Sequence, residues 1–160
     1  MSLRIVGIDP GLRVTGYGAI ECNGRGVFLL EAGVVAPDAA ATLEQRLDAL
    51  HRGICEVLAT TRPQAIVIEE LFSVYKNPLT AVMMGHARGV LCLAAAQRQV
   101  GVVALGHSAV KRALTGSGAA RKEQVRAMVV QLLGLTRVPE PTDVSDALAL
   151  ALAFANREAR

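Results

Sequence analysis

The chain has 160 residues, of which 52% are hydrophobic. That is the size of one domain, able to bury about two-thirds of its unfolded surface without disulfides, so a disordered tail protein is excluded. Seventeen basic against fourteen acidic residues leave a net charge of only +3. This excludes a polybasic, histone-like binder and permits a nucleic-acid partner without arguing for one. Arginine supplies fourteen of the basic residues, with lysine only at Lys76, Lys111 and Lys122. Aspartate occurs five times, at Asp9, Asp38, Asp48, Asp143 and Asp146.

Taken in chain order, Leu3 to Ile8 reads as a buried strand reaching Asp9, broken by Pro10-Gly11. Val14 to Ile20 and Val27 to Val35 are rich in strand formers and are separated by the turn signal Asn23-Gly24. Thr42 and Gln45 form a capping-box pair opening a helix whose Leu43, Leu47, Leu50, Ile54 and Leu58 share one face, and Pro63 stops it. Ala65 to Ile68 is a short apolar strand running into Glu69-Glu70. Asn77-Pro78 starts a second helix, expected to run to about Gln99. Val100 to Leu105 is the last strand, and helices are expected at Ser108 to Leu114, Arg121 to Leu133 and Thr142 to Arg157. The last segment alternates Ala and Leu, and alanine's helix preference decides for helix. Three strands in a meander followed by alternating helix and strand call for a mixed sheet covered by helices.

The N-terminal stretch lacks a basic region followed by an unbroken apolar core, so it does not read as a signal peptide. The longest uniformly apolar run, Ala147 to Ala155, is far short of the roughly 18 residues a membrane span needs. Cys22, Cys55 and Cys92 are widely spaced among apolar residues, which points to a reducing cytosol and no zinc site. The expectation is one soluble cytoplasmic domain over residues 1–160.

The informative residues are acids at element ends. Asp9 stands where a buried strand gives way to a Gly-bracketed turn, though a turn aspartate bonding its own backbone has the same appearance. Glu69 ends a strand that looks buried on both faces, where a carboxylate is costly without a cation or donor. Asp143 and Asp146, three apart at a helix start with Thr142 as candidate cap, would share one face; acids in a first turn also simply complement the helix dipole. If all four converge, they repel unless cations neutralise them. Oxygen-only donors point to magnesium or manganese, and two such ions roughly 3.5–4 Å apart suit in-line phosphoryl displacement.

These residues resemble a known family. Gly7-Ile8-Asp9-Pro10-Gly11-Leu12-Arg13-Val14-Thr15-Gly16-Tyr17-Gly18 is similar to the opening motif of the RuvC Holliday junction resolvases, and Ile68-Glu69-Glu70-Leu71-Phe72 to their second acidic motif. Gly85-His86-Ala87-Arg88-Gly89 resembles their Gly-x-Ala-Arg-Gly segment, and Val110-Lys111 and Lys122-Glu123-Gln124-Val125 their lysine-bearing segments. Asp143 to Ala149 resembles their closing acidic helix. The ordered set covers nearly the whole chain. The resemblance implies a ribonuclease H-like fold of the retroviral-integrase superfamily, a mixed five-stranded sheet flanked by helices. It implies a homodimeric, magnesium-dependent endodeoxyribonuclease, with two ions per subunit and manganese able to substitute, making paired symmetric nicks in four-way junctions during recombination and repair. RuvA and RuvB are implied as partners. Carried over by position, Asp9, Glu69, Asp143 and Asp146 would be the metal-binding catalytic acids, with Lys111 and Lys122 near the scissile phosphate or the DNA backbone.

Other residues carry weaker expectations. Phe72 and Tyr75 follow Glu69 and could stack on unpaired bases, and Lys76 could touch phosphate. Gly116-Ser117-Gly118, ahead of a helix bearing Arg121, Lys122 and Arg126, could hold a phosphate through backbone N–H groups and cations. Gly85 and Gly89 would let another backbone approach; the resemblance places them at a dimer interface, while packing within the chain would explain them equally well. His51, His86 and His107 lack ligand spacing and read as structural or surface residues. Two rival readings are a non-catalytic junction-binding module and a nucleotide phosphotransferase of related fold.

Overall fold

The computed structural model describes residues 1–11, 13–71 and 76–159. Strands β1 (Leu3–Asp9), β2 (Thr15–Asn23) and β3 (Gly26–Val35) form an antiparallel meander. Helix α1 (Leu43–Thr61) leads to β4 (Ala65–Glu69), and α2 (Pro78–Gln97) to β5 (Gly101–Leu105). Helices α3 (His107–Thr115), α4 (Lys122–Leu133) and α5 (Thr142–Glu158) complete the chain. The sheet order is β3-β2-β1-β4-β5, with β4 parallel to both β1 and β5. The mixed five-stranded sheet expected from the sequence is therefore present.

Each face of the sheet carries its own core. Val6, Ile8, Ala19, Ile66 and Ile68 pack under α1 and α2, whereas Ile5, Ile20, Val67 and Leu105 pack under α3, α4 and α5. The Thr42–Gln45 capping box forms as expected, and α1 buries Leu50, Ile54 and Leu58. In α5, Ala147 to Ala153 are all buried, which explains an apolar pattern around the whole helix. Full burial of Leu148 and Leu152 contributes about 1.5–3 kcal/mol each. Cys22, Cys55 and Cys92 are unpaired thiols.

Glycines set how closely α5 sits on the sheet. A Cβ on Gly7 would run into the carbonyl of Ala147, and one on Gly18 into the Leu148 side chain. These two glycines face each other across the β1–β2 ladder, so the helix backbone lies nearly on the strands.

Some boundaries differ from the sequence expectation. Helix α2 stops at Gln97, because Arg98 and Gln99 close it through N–H bonds to Ala95 and Ala96 and Gln99 takes a positive φ of 57°. Pro141, not Thr142, is the N-cap of α5: Pro141 is extended, with ψ 170°, and Thr142 is already helical, its carbonyl accepting from Ser145 Oγ at 2.9 Å. β3 is an edge strand with Phe28, Leu29 and Leu30 exposed, and the β2–β3 register shifts between Ala19 and Ile20, opposite Leu30.

Candidate active site

The acids come together because of strand register. Odd-numbered residues of β1 face α5, as the Gly7–Ala147 approach shows, so Asp9 at the strand's end faces the same way. In the parallel ladder Ile8 pairs with Ile68, and one step further Asp9 and Glu69 end neighbouring strands. Across the antiparallel ladder Asp9 pairs with Gly16, and a Cβ on Gly16 would run into the backbone of Asp143. The start of α5 thus lies directly over the end of β1, and Asp146 follows three residues on along the helix.

Asp9, Glu69, Asp143 and Asp146 line one cleft of about 550 Å³ together with His107, Lys111, Lys122 and Thr142. Burial, and then the charges of Asp146, Asp143 and Glu69, push the Asp9 carboxyl up to about 7, with Lys122 opposing. Glu69 is also raised, chiefly by burial and then by Asp146, against the pull of His107 and Lys122. A cleft that resists ionising its own acids is one that favours cations.

Two of the acids already meet basic side chains of this chain. His107 Nδ1 lies 2.6 Å from Glu69 Oε1, and Arg126 Nη2 lies 3.8 Å from Asp146 Oδ1. Among the described residues no three His, Cys, Asp or Glu side chains converge on a single ion-sized point. With Glu69 turned to His107 and Asp146 facing Arg126, the four carboxylates share the cleft wall without closing into a cage.

His107, read from the sequence as a structural or surface residue, is exposed and stands in the cleft beside Glu69. Glu69 pairs with Leu105 across β4 and β5, so a residue two positions beyond Leu105 lands beside Glu69. Spacing in the sequence cannot show this, because the parallel register decides it. Arg126, grouped in the sequence with a phosphate-holding loop, instead reaches toward Asp146, and its buried Nε has no hydrogen-bond partner among the described residues. Ser117 is engaged locally: its N–H donates to Thr115 Oγ1 and its Oγ accepts from Ala119 N–H. Ser117, Arg121 and Lys76 lie outside the lining of the acid cleft. Phe72 and Tyr75 lie outside the described residues.

Residues 5–154 match the family model described as crossover junction endodeoxyribonuclease RuvC. The chain belongs to the RuvC family. A RuvC protein of Rhodopirellula baltica is 47% identical over 148 residues, covering 92% of this chain and 83% of the relative. One from Neisseria meningitidis serogroup B is 43% identical over 156 residues, 98% of this chain and 86% of the relative. Among solved structures, Thermus thermophilus RuvC superposes with a TM-score of 0.91 at 37% identity, covering 98% of this chain and 96% of that one. The same protein in complex with a Holliday junction substrate gives 0.92 at 36% identity, with 98% and 94% covered. The ribonuclease H-like fold implied by the sequence motifs is the fold of these RuvC structures.

Proposed function

We propose that this chain is a structure-selective endonuclease that resolves four-way DNA junctions by paired, symmetric nicks in recombination and repair, acting in the cytoplasm. The observation that carries this reading is the meeting of Asp9, Glu69, Asp143 and Asp146 in one cleft walled by Lys111 and Lys122. The RuvC relative whose structure contains a Holliday junction supports the choice of substrate.

The donor chemistry fits magnesium: four carboxylates and no thiolate, with Asp9 held up to about 7 by burial and then by the charges of Asp146, Asp143 and Glu69, a repulsion that a cation relieves. Asp9, Glu69, Asp143 and Asp146 would hold two ions, with manganese as substitute. When bound, such ions supply an activated water and charge stabilisation for in-line displacement at phosphorus. Lys111 and Lys122 place positive charge where the scissile phosphate enters, and His107 holds one oxygen of Glu69.

Paired nicking requires two sites, and the outward face of α2 suits a second copy of the chain. Leu79, Val82 and Leu93 are 65%, 55% and 51% exposed, and a Cβ on Gly85 or Gly89 would meet nothing within 4 Å among the described residues. Packing among the described residues therefore does not account for these glycines. Helix α2 is long and apolar enough to cross a membrane, with a mean hydropathy of 1.4. Its other face is already committed to the sheet through Ala87, Leu91, Ala94 and Ala95, which favours a protein partner. RuvA and RuvB are the further partners supported by the family resemblance.

The test is cleavage of a synthetic mobile junction against matched linear duplex in magnesium, with products mapped on both strands. Wild-type protein should cut the junction alone. Asp9→Asn should abolish nicking while junction binding persists, and undiminished cleavage by that variant would sink the proposal.

A further inference from the structure

The Gly-x-Ala-Arg-Gly segment of α2 carries a contact that reaches the cleft from behind. Arg88 Nη1 donates to the backbone carbonyl of Glu69 at 2.6 Å, across nineteen positions of sequence. The N–H of the same peptide group, that of Glu70, donates to the carbonyl of Leu105 at 2.9 Å. Both polar atoms of the peptide following the Glu69 Cα are therefore fixed, one by α2 and the other by the end of β5.

The approach is from the side opposite to the carboxylate. Helix α2 packs on the sheet face that carries Val6, Ile8, Ile66 and Ile68, whereas Glu69 lines the cleft on the α5 face. Arg88 thus acts on Glu69 through its main chain alone. A guanidinium bond to a carbonyl is charge-assisted, and its planar fork holds direction in a way lysine does not.

We propose that Arg88 is a positioning residue for Glu69: by clamping the peptide that follows it, Arg88 sets the direction of the carboxylate and makes α2 and the acid cleft one mechanical body. This rests on the reading of Glu69 as a metal-binding acid. It assigns a task to the arginine of a segment whose two glycines face outward.

The experiment is calorimetric titration of the full chain with Mn²⁺ in the absence of DNA, for wild type, Arg88→Met, Arg88→Lys and Asp9→Asn. Junction binding is measured in parallel in EDTA, and helical content by circular dichroism. Loss of a group that orients a metal ligand typically weakens metal binding roughly 10- to 100-fold, and that is expected for Arg88→Met at unchanged junction binding. Arg88→Lys should fall between it and wild type. Wild-type Mn²⁺ affinity in Arg88→Met, with Asp9→Asn weakened, overturns the role of Arg88 alone. Wild-type affinity in Asp9→Asn overturns the carboxylate reading and this inference with it. Equal losses of Mn²⁺ and junction binding mark a general structural role and also overturn it. If Arg88→Met fails to fold, Arg88→Lys decides, and wild-type Mn²⁺ affinity in that variant overturns the proposal.

Discussion

Asp9 is the residue on which the electrostatics of the cleft concentrate. Its folded-state pKa of about 7 stands above the ordinary 3.8, so the metal-free folded protein binds this proton more tightly than the unfolded chain does. The resulting stabilisation is complete below 3.8 and is lost as pH rises through about 7. In EDTA the stability of the wild type should fall across that interval by about 2 kcal/mol after allowance for partial solvent exposure, read as a falling melting temperature. Asp9→Asn should flatten the slope, and saturating magnesium should do the same for the wild type; thermal melts at a series of pH values check both. The four acids were legible in the sequence because each stands at an element end beside an apolar run. His107 and Arg126 were not, because their partners, Glu69 and Asp146, are set by register and helix packing rather than by spacing.

At the scale of elements, the cleft depends on the seating of α5. Gly16 pairs with Asp9 and lies under Asp143, so a methyl group there lifts the helix start where two of the acids begin. Gly16→Ala should cost about 1–3 kcal/mol in overpacking and reduce junction cleavage much more than that loss of stability explains. Denaturant melts and single-turnover cleavage measured side by side separate the two effects. Hydrophobic periodicity and turn chemistry located the strands and helices of the described residues, since those signals are local. They missed the seating of α5, which comes from glycines on two other strands, and the α5 cap, where an extended Pro141 takes the position read for Thr142 without a side-chain hydrogen bond.

For the whole molecule, the outward stripe of α2 is expected to join two copies. Val82→Glu or Leu93→Glu puts a charge on that stripe without touching the buried Ala87, Leu91, Ala94 and Ala95. Either variant should halve the mass measured by light scattering and replace paired nicks with independent single ones, read by mapping both strands. The modest net charge of +3 conceals this design, because four of the fourteen acids are gathered into one cleft of a chain that is otherwise basic.

The far side of the sheet has a different consequence, for behaviour at high concentration. β3 leaves one backbone edge unpaired and exposes Phe28, Leu29 and Leu30 beside it, while Glu31, the carboxylate on this strand, is turned inward to Tyr17 and Thr60. Such an edge is a template for sheet extension and amyloid-like stacking. The register shift opposite Leu30 interrupts it, dividing the free edge into Gly26–Leu29 and Glu31–Val35. Each piece is shorter than or barely equal to an ordinary strand of about 5–6 residues, so an added chain finds no long, continuous ladder. The irregularity in β3 thus breaks the apolar edge into two short pieces, each a poor template for fibril growth.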